Sequence, residues 1–135
     1  MLRIGACLFY LICGIPMLVL AQTMPEMPTV GVDQSYGTEC GFTKIVPAYR
    51  DSLERFVKKQ DHASVRRWLH SENPTKTAYA IEGMHRSLRA IELSEEDRAV
   101  IHRYQTENIE LVCCGSGVPQ PCSSKKVLKR FEFPE

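Results

Sequence analysis

Four cysteines constrain this chain more than any other feature. Cys40 stands alone, Cys113 and Cys114 lie side by side after a short apolar run, and Cys122 follows eight residues later. Their meaning depends on the compartment. The chain opens MLRIGACLFYLICGIPMLVLAQT, where Arg3 precedes an apolar stretch over residues 4–20 interrupted only by glycine and Pro16. Val19, Leu20 and Ala21 present small or aliphatic residues where a signal peptidase reads, with Gln22 as the new N-terminus. This is the three-region pattern of a secretory signal over 1–21. The alternative is an uncleaved anchor, since the stretch approaches the ~20 residues that span a bilayer. Either way the body is exported, because Arg3 is the sole cation before the apolar segment and Glu26, Asp33 and Glu39 follow it. Neither Cys7 nor Cys13 has the apolar segment and preceding small residue of a lipidation site.

Cleavage after Ala21 removes Cys7 and Cys13, leaving four of the six cysteines, and removes Arg3, leaving 16 basic and 16 acidic residues. An even cysteine count in a small exported chain reads as two disulfides. A net charge near zero offers no footprint for nucleic acid or for an anionic membrane. The one basic cluster, Lys125, Lys126, Lys129 and Arg130, reads as a solvated face.

Residues 22–37 are rich in proline, glycine and polar side chains and read as a flexible leader, leaving one domain over 38–135. Met24 and Met27 within that leader could recruit copper(I) as soft ligands, but two methionines in a proline-flanked leader read more simply as linker. From Pro47 the apolar period is helical. Tyr49, Leu53, Phe56 and Val57 form one stripe. Asp61 can cap a second helix carrying Val65, Trp68 and Leu69, with Trp68 expected in the core. Asn73 and Pro74 start a third with Ala78, Ile81, Met84, Leu88 and Ile91. Ser94 to Asp97 approximates a capping box before Val100, Ile101 and Tyr104. The motif SLERFV at 52–57 is echoed by SVRRWL at 64–69, an offset that one continuous helix could not keep on one face, so a break falls at Gln60 and Asp61.

The stretch DHASVRRWLHSENPTKTAYAIEGMHRS, residues 61–87, resembles a HEAT-type helix pair, a short helix followed by a longer alanine-rich one. With the export signal, the Ser-Glu-Glu-Asp helix and the cysteine-ended strand, the layout looks like small secreted bacterial proteins of the Bacteroidetes type. That resemblance implies a scaffold and carries over no catalytic residue. A single pair does not make a superhelix.

After Glu107 the period becomes extended. Ile109, Leu111 and Cys113 share one side, and Glu110, Val112 and Cys114 the other. The β-prone stretch VLKRFEF, 127–133, is expected to return as the partner strand. The fold expected is thus mainly α: a bundle of about four short helices, including the HEAT-like pair, with a C-terminal β-ribbon stapled by disulfides. Adjacent cysteines are disfavoured partners, because their Cα atoms lie about 3.8 Å apart. The facing of Leu111 and Cys113 toward the core predicts Cys40–Cys113 and Cys114–Cys122, with the swapped pairing as the alternative.

No two-ligand zinc spacing is present, and His62, His70, His85 and His102 fall singly on predicted helices, so no metal or cofactor is expected. Neither C-x-x-C nor G-x-S-x-G occurs. The expectation is an exported, non-catalytic module of the envelope or extracellular space, secreted or periplasmic, that binds a protein partner or serves a structural role. It would bind no nucleic acid and, once the signal is cleaved, no membrane. The alternative is an enzyme or metal-dependent module whose site is assembled from scattered residues. The sequence sets no oligomeric state. Intact mass of the exported protein should begin at Gln22; Met1 retained in a membrane fraction would establish the anchor instead.

Overall fold

The computed structural model describes residues 31–41, 43–114 and 117–134. The signal segment, its cleavage pair Ala21 and Gln22, and leader residues 22–30 lie outside the described residues. Helix α1 spans Ala48–Lys59 and starts at Pro47, whose fixed φ suits the N-terminal boundary. It ends where Gln60 turns into the left-handed region at φ 55°. Helix α2, His62–Leu69, begins at Asp61, whose carboxylate accepts the Ser64 N–H at 3.1 Å. The expected break between the two stripes is therefore made by a left-handed residue followed by an acidic cap.

Helix α3, Pro74–Arg86, opens with the Asn73 side chain accepting from Thr75 and Lys76. It closes at Ser87, short of the expected end near Ile91, through tighter turn bonds from Ser87 to Met84 and from Leu88 to His85. Leu88 and Ile91 still pack on the core, from the connecting loop. Helix α4, Glu95–Thr106, carries a complete capping box between Ser94 and Asp97. Around α3 the other elements gather: α1, α2 and the later ribbon and helix all pack on it. Residues 77 to 84 are buried without interruption, so α3 has no solvent face over that length. A Cβ on Gly83 would stand 2.7 Å from Leu53 Cδ1 and 3.1 Å from Val65 Cγ1, so the close approach of α1 and α2 depends on glycine there. Trp68 is half-buried rather than enclosed, with Tyr49 and Phe56 against its ring edges and the Lys76 ammonium nearby.

The ribbon differs from expectation in its second strand. Strand β1, Glu110–Cys114, pairs antiparallel with β2, Pro119–Ser123. The stretch expected to be a strand over 127–133 instead begins inside a short helix, α5, Ser124–Leu128, followed by a turn. Val127, Leu128 and Phe131 are spaced i, i+1, i+4, which places them on one side of a helical turn, and Leu128 is fully buried. Two prolines in β2 are tolerated for a specific reason. Pro119 and Pro121 stand opposite Cys114 and Val112, and those residues turn their ladder groups the other way. Val112 accepts from the Tyr36 N–H at 2.6 Å, and the Cys114 N–H donates to the Tyr36 carbonyl at 2.9 Å. No donor is needed from β2 at either proline.

Tyr36 thus covers the outer edge of β1, which ends the flexible leader earlier than residue 37. Val32–Gln34 form a 3₁₀ turn, Ser35 and Tyr36 are buried, and this strap joins the fold. The strap also decides the disulfides, which are Cys40–Cys114 and Cys113–Cys122, correcting the favoured pairing of Cys40 with Cys113 and Cys114 with Cys122. Strand register supplies the cause. Cys122 stands opposite Leu111, and cross-strand partners share a side, so Cys122 lies on the side of Cys113. Cys114 projects to the other side, where the strap delivers Cys40. The 74-residue link contributes about 4–5 kcal/mol in the chain-entropy view, and the 9-residue link about 2–3. In a Cys122→Ser variant, alkylation of the native protein should label Cys113 and leave Cys114 protected; labelling at Cys114 would restore the other pairing.

Candidate functional site

The strap is held by a buried polar cluster that joins three separate parts of the chain. Arg50 on α1 and Glu82 on α3 are 6% and 8% exposed, and they form a two-pronged ion pair with contacts of 2.5 and 2.8 Å. The Tyr36 hydroxyl donates to the same carboxylate at 2.9 Å. Arg50 Nε donates to the Gly37 carbonyl at 3.0 Å, and its guanidinium lies over the Tyr79 ring. The Tyr79 hydroxyl accepts from the Gly37 N–H and reaches the Ser35 carbonyl at 2.8 Å. Burial, and then the Glu82 charge, push the Tyr36 phenol well above its ordinary pKa. Burial also raises that of Tyr79. Both remain neutral hydroxyls that can donate. At Arg50 burial works against the charge, yet the Glu82 contacts outweigh it and hold the guanidinium ionised.

Around this centre the charges alternate. Arg86 makes a bidentate pair with Glu54 at 2.7 and 2.8 Å, and Arg50 touches Glu54 at 3.4 Å. Glu54 is pulled below the usual carboxylate range by the Arg86 hydrogen bonds. The assembly is a positioning device, with every charge engaged by another part of the fold.

A second polar node lies at the start of α4. Asp97, fully buried, closes the capping box with the Ser94 N–H. It also accepts from Arg66 at 3.0 Å and meets His70 Nε2 at 2.8 Å. Burial opposes its ionisation, but the contacts from His70, Ser94 and Arg66 prevail and hold its pKa below the ordinary value. Of the four histidines, His62 and His85 border one cleft beside the end of α3, and His70 and His102 stand apart from it. His70 ends α2 against Asp97, His102 is exposed on α4, and His85 packs against Phe131 and Phe133. His62 opens α2. Among the described residues no three His, Cys, Asp or Glu side chains gather in a way that could hold a metal ion.

The remaining feature is the end of the ribbon. The backbones of Cys40 and Ile45 bond reciprocally at 2.7 and 2.8 Å, making a short loop whose Lys44 takes a left-handed φ of 53°. This loop meets the β1–β2 turn: the Gly117 carbonyl lies 3.8 Å from the place a Gly41 Cβ would take. Ile45 and Val46 are each 49% exposed and Val118 is 56% exposed, and these are the large exposed apolar side chains among the described residues. Both disulfides lie directly behind this tip, so all four cysteines singled out in the sequence serve one end of the molecule. The cleavage pair Ala21 and Gln22 lies outside the described residues.

Sequence reasoning missed the Arg50–Glu82–Tyr36–Tyr79 cluster. Its one sequence trace is Glu82 sitting beside Ile81 and Met84 in the apolar stretch of α3, where a carboxylate needs a partner. The exposed tip was equally hidden, because neither loop is apolar as a run. No family model matches this chain, and neither a curated protein nor a solved structure matches it. The two disulfides place the body in an oxidising, non-cytoplasmic compartment. Among the described residues no helix is long and apolar enough to cross a membrane.

Two stability predictions follow from the polar nodes. Glu82→Gln removes the close partner of a buried guanidinium, leaving only the half-exposed Glu54 at 3.4 Å, and should cost about 3 kcal/mol in denaturant unfolding. The Asp97 carboxylate has a lowered folded pKa, so its contribution is complete above its unfolded value of about 3.9 and is lost as pH falls through the folded value. Unfolding midpoints of Asp97→Asn should therefore fall less steeply below about pH 4 than those of the parent.

Proposed function

We propose that this chain is an exported, non-catalytic helical protein, secreted or periplasmic, that recognises a protein partner through the braced tip of its ribbon. The observation that carries this reading is the exposure of Ile45, Val46 and Val118 on two loops fastened by both disulfides. Exposed aliphatic side chains cost solubility, and grouped ones mark contact surfaces more often than scattered ones do. Side chains held next to cross-links lose little conformational entropy on binding, so a small apolar surface beside the disulfides gains affinity from preorganisation. The helix faces bear mostly charged and polar side chains outward, which leaves the tip as the better-supported surface.

The non-catalytic part of the reading rests on chemistry. All four cysteines of the body are consumed in disulfides. The charged groups of the interior are paired with one another, and the tyrosines beside them are held as neutral donors. The resemblance to small exported bacterial scaffolds with a HEAT-like helix pair agrees with this reading and adds no site. The anchor alternative keeps the same body outside the cytoplasm and changes only its tether.

The test is a comparison of two baits. The oxidised body and an Ile45→Asp/Val118→Asp variant are each incubated with envelope and extracellular extracts, and retained proteins are identified by mass spectrometry. One partner should be captured by the parent and lost by the variant, with the thermal midpoints agreeing within a few degrees, since surface changes are usually worth less than about 0.5 kcal/mol. Equal capture by both would remove the tip from the reading. Turnover of a substrate by the purified body would replace it with the enzyme alternative.

A further inference from the structure

The loop joining α3 to α4, residues 87–94, packs Leu88, Ile91 and Leu93 on the core. It leaves a cleft of about 420 Å³ over the end of α1, the start of α2 and the end of α3. That volume lies in the range of small-molecule sites, roughly 300–1,000 Å³. The lining is one-sided in charge. His62, His85, Arg86 and Arg89 face the cleft, and no carboxylate lines it. Val57 and Leu88 supply an apolar wall.

These side chains differ in how far they are already engaged. Arg86 gives both terminal nitrogens to Glu54, so its charge is answered. Arg89 is exposed, and among the described residues it has no carboxylate within 4.0 Å. The Asp61 carboxylate next to His62 is taken up by the N–H and hydroxyl of Ser64. The His85 ring is steadied by Phe131 and Phe133, 5.2 and 5.7 Å away between centroids. Even a neutral imidazole offers one N–H, and a guanidinium offers a planar fork suited to phosphate.

We propose that this cleft binds the phosphate group of a small phosphorylated molecule of about monosaccharide size. Arg89, His62 and His85 would donate to the terminal phosphate oxygens, while the esterified body lies along Val57 and Leu88. Three donor side chains match three terminal oxygens, and the volume exceeds what the phosphate group alone would fill. The site is separate from the ribbon tip and stands or falls independently of partner binding there.

The test follows the imidazole proton signals of the oxidised protein by NMR during titration with inorganic phosphate, glucose 6-phosphate and glucose. Inorganic phosphate and glucose 6-phosphate should each move the His62 and His85 signals in a saturable way, and glucose should leave them in place. Tighter binding of glucose 6-phosphate would support use of the apolar wall; equal affinity would support recognition of the phosphate group alone. Arg89→Ala should weaken either ligand at least about tenfold, with an unchanged thermal midpoint. The proposal is overturned if about 10 mM of either phosphate leaves both histidines unmoved, since even a millimolar site would then be largely filled. Glucose acting as strongly as its phosphate, or Arg89→Ala binding as tightly as the parent, would overturn it as well. A zinc titration that moves both histidines while phosphate is silent would assign the cleft to a metal instead.

Discussion

Arg50 and Glu82 form a contact that the rest of the structure is arranged around. A guanidinium and a carboxylate so little exposed are expensive to bury, and their attraction repays that only when geometry is close and spare hydrogen-bonding sites are filled. Here they are filled by residues of the strap: Tyr36 donates to Glu82, and the Gly37 carbonyl accepts from Arg50. The pair therefore cannot be satisfied by α1 and α3 alone. Docking of residues 35–37 completes the buried cluster, and that docking in turn places Tyr36 on the edge of β1 and Cys40 within reach of Cys114.

The disulfides then fix what this cluster positions. A two-stranded ribbon is marginal by itself in water. This one gains a third, one-residue neighbour in Tyr36, a cross-link within the ribbon, and a cross-link to the strap. Ile45, Val46 and Val118 are therefore exposed close to the two cross-links.

The helices were legible because each carries its own start signal. Asp61, Asn73 and the Ser94–Asp97 box cap their helices as local rules require. The ribbon was legible only in its first strand. Its second strand, with two prolines in five residues, contradicts local propensity, and it is tolerated because Tyr36 takes the polar groups that those prolines leave unpaired. The segment 127–133 was misread for the converse reason. Valine, leucine and phenylalanine are β-prone in isolation, but their spacing places them on one side of a helical turn, and burial of Leu128 against the core decides between the two. The disulfide partners were misassigned because alternation was taken from β1 alone, whereas the side on which Cys122 lies depends on its register opposite Leu111.

By itself, then, the sequence determined the helix boundaries near their caps, the apolar stripes that make a bundle, and an even set of cysteines suited to an oxidising compartment. Those properties are carried by residues within a turn or two of one another, where backbone geometry and capping act locally. Tertiary structure alone decided which cysteine meets which, that residues 31–37 belong to the fold, and that Glu82 is answered by Arg50. Each of these joins residues distant in the chain: 46 positions separate Tyr36 from Glu82, and 74 separate Cys40 from Cys114. Such contacts exist only after the core has brought α1, α3 and β1 together, because a buried charge selects its partner by position in space and not by spacing in sequence.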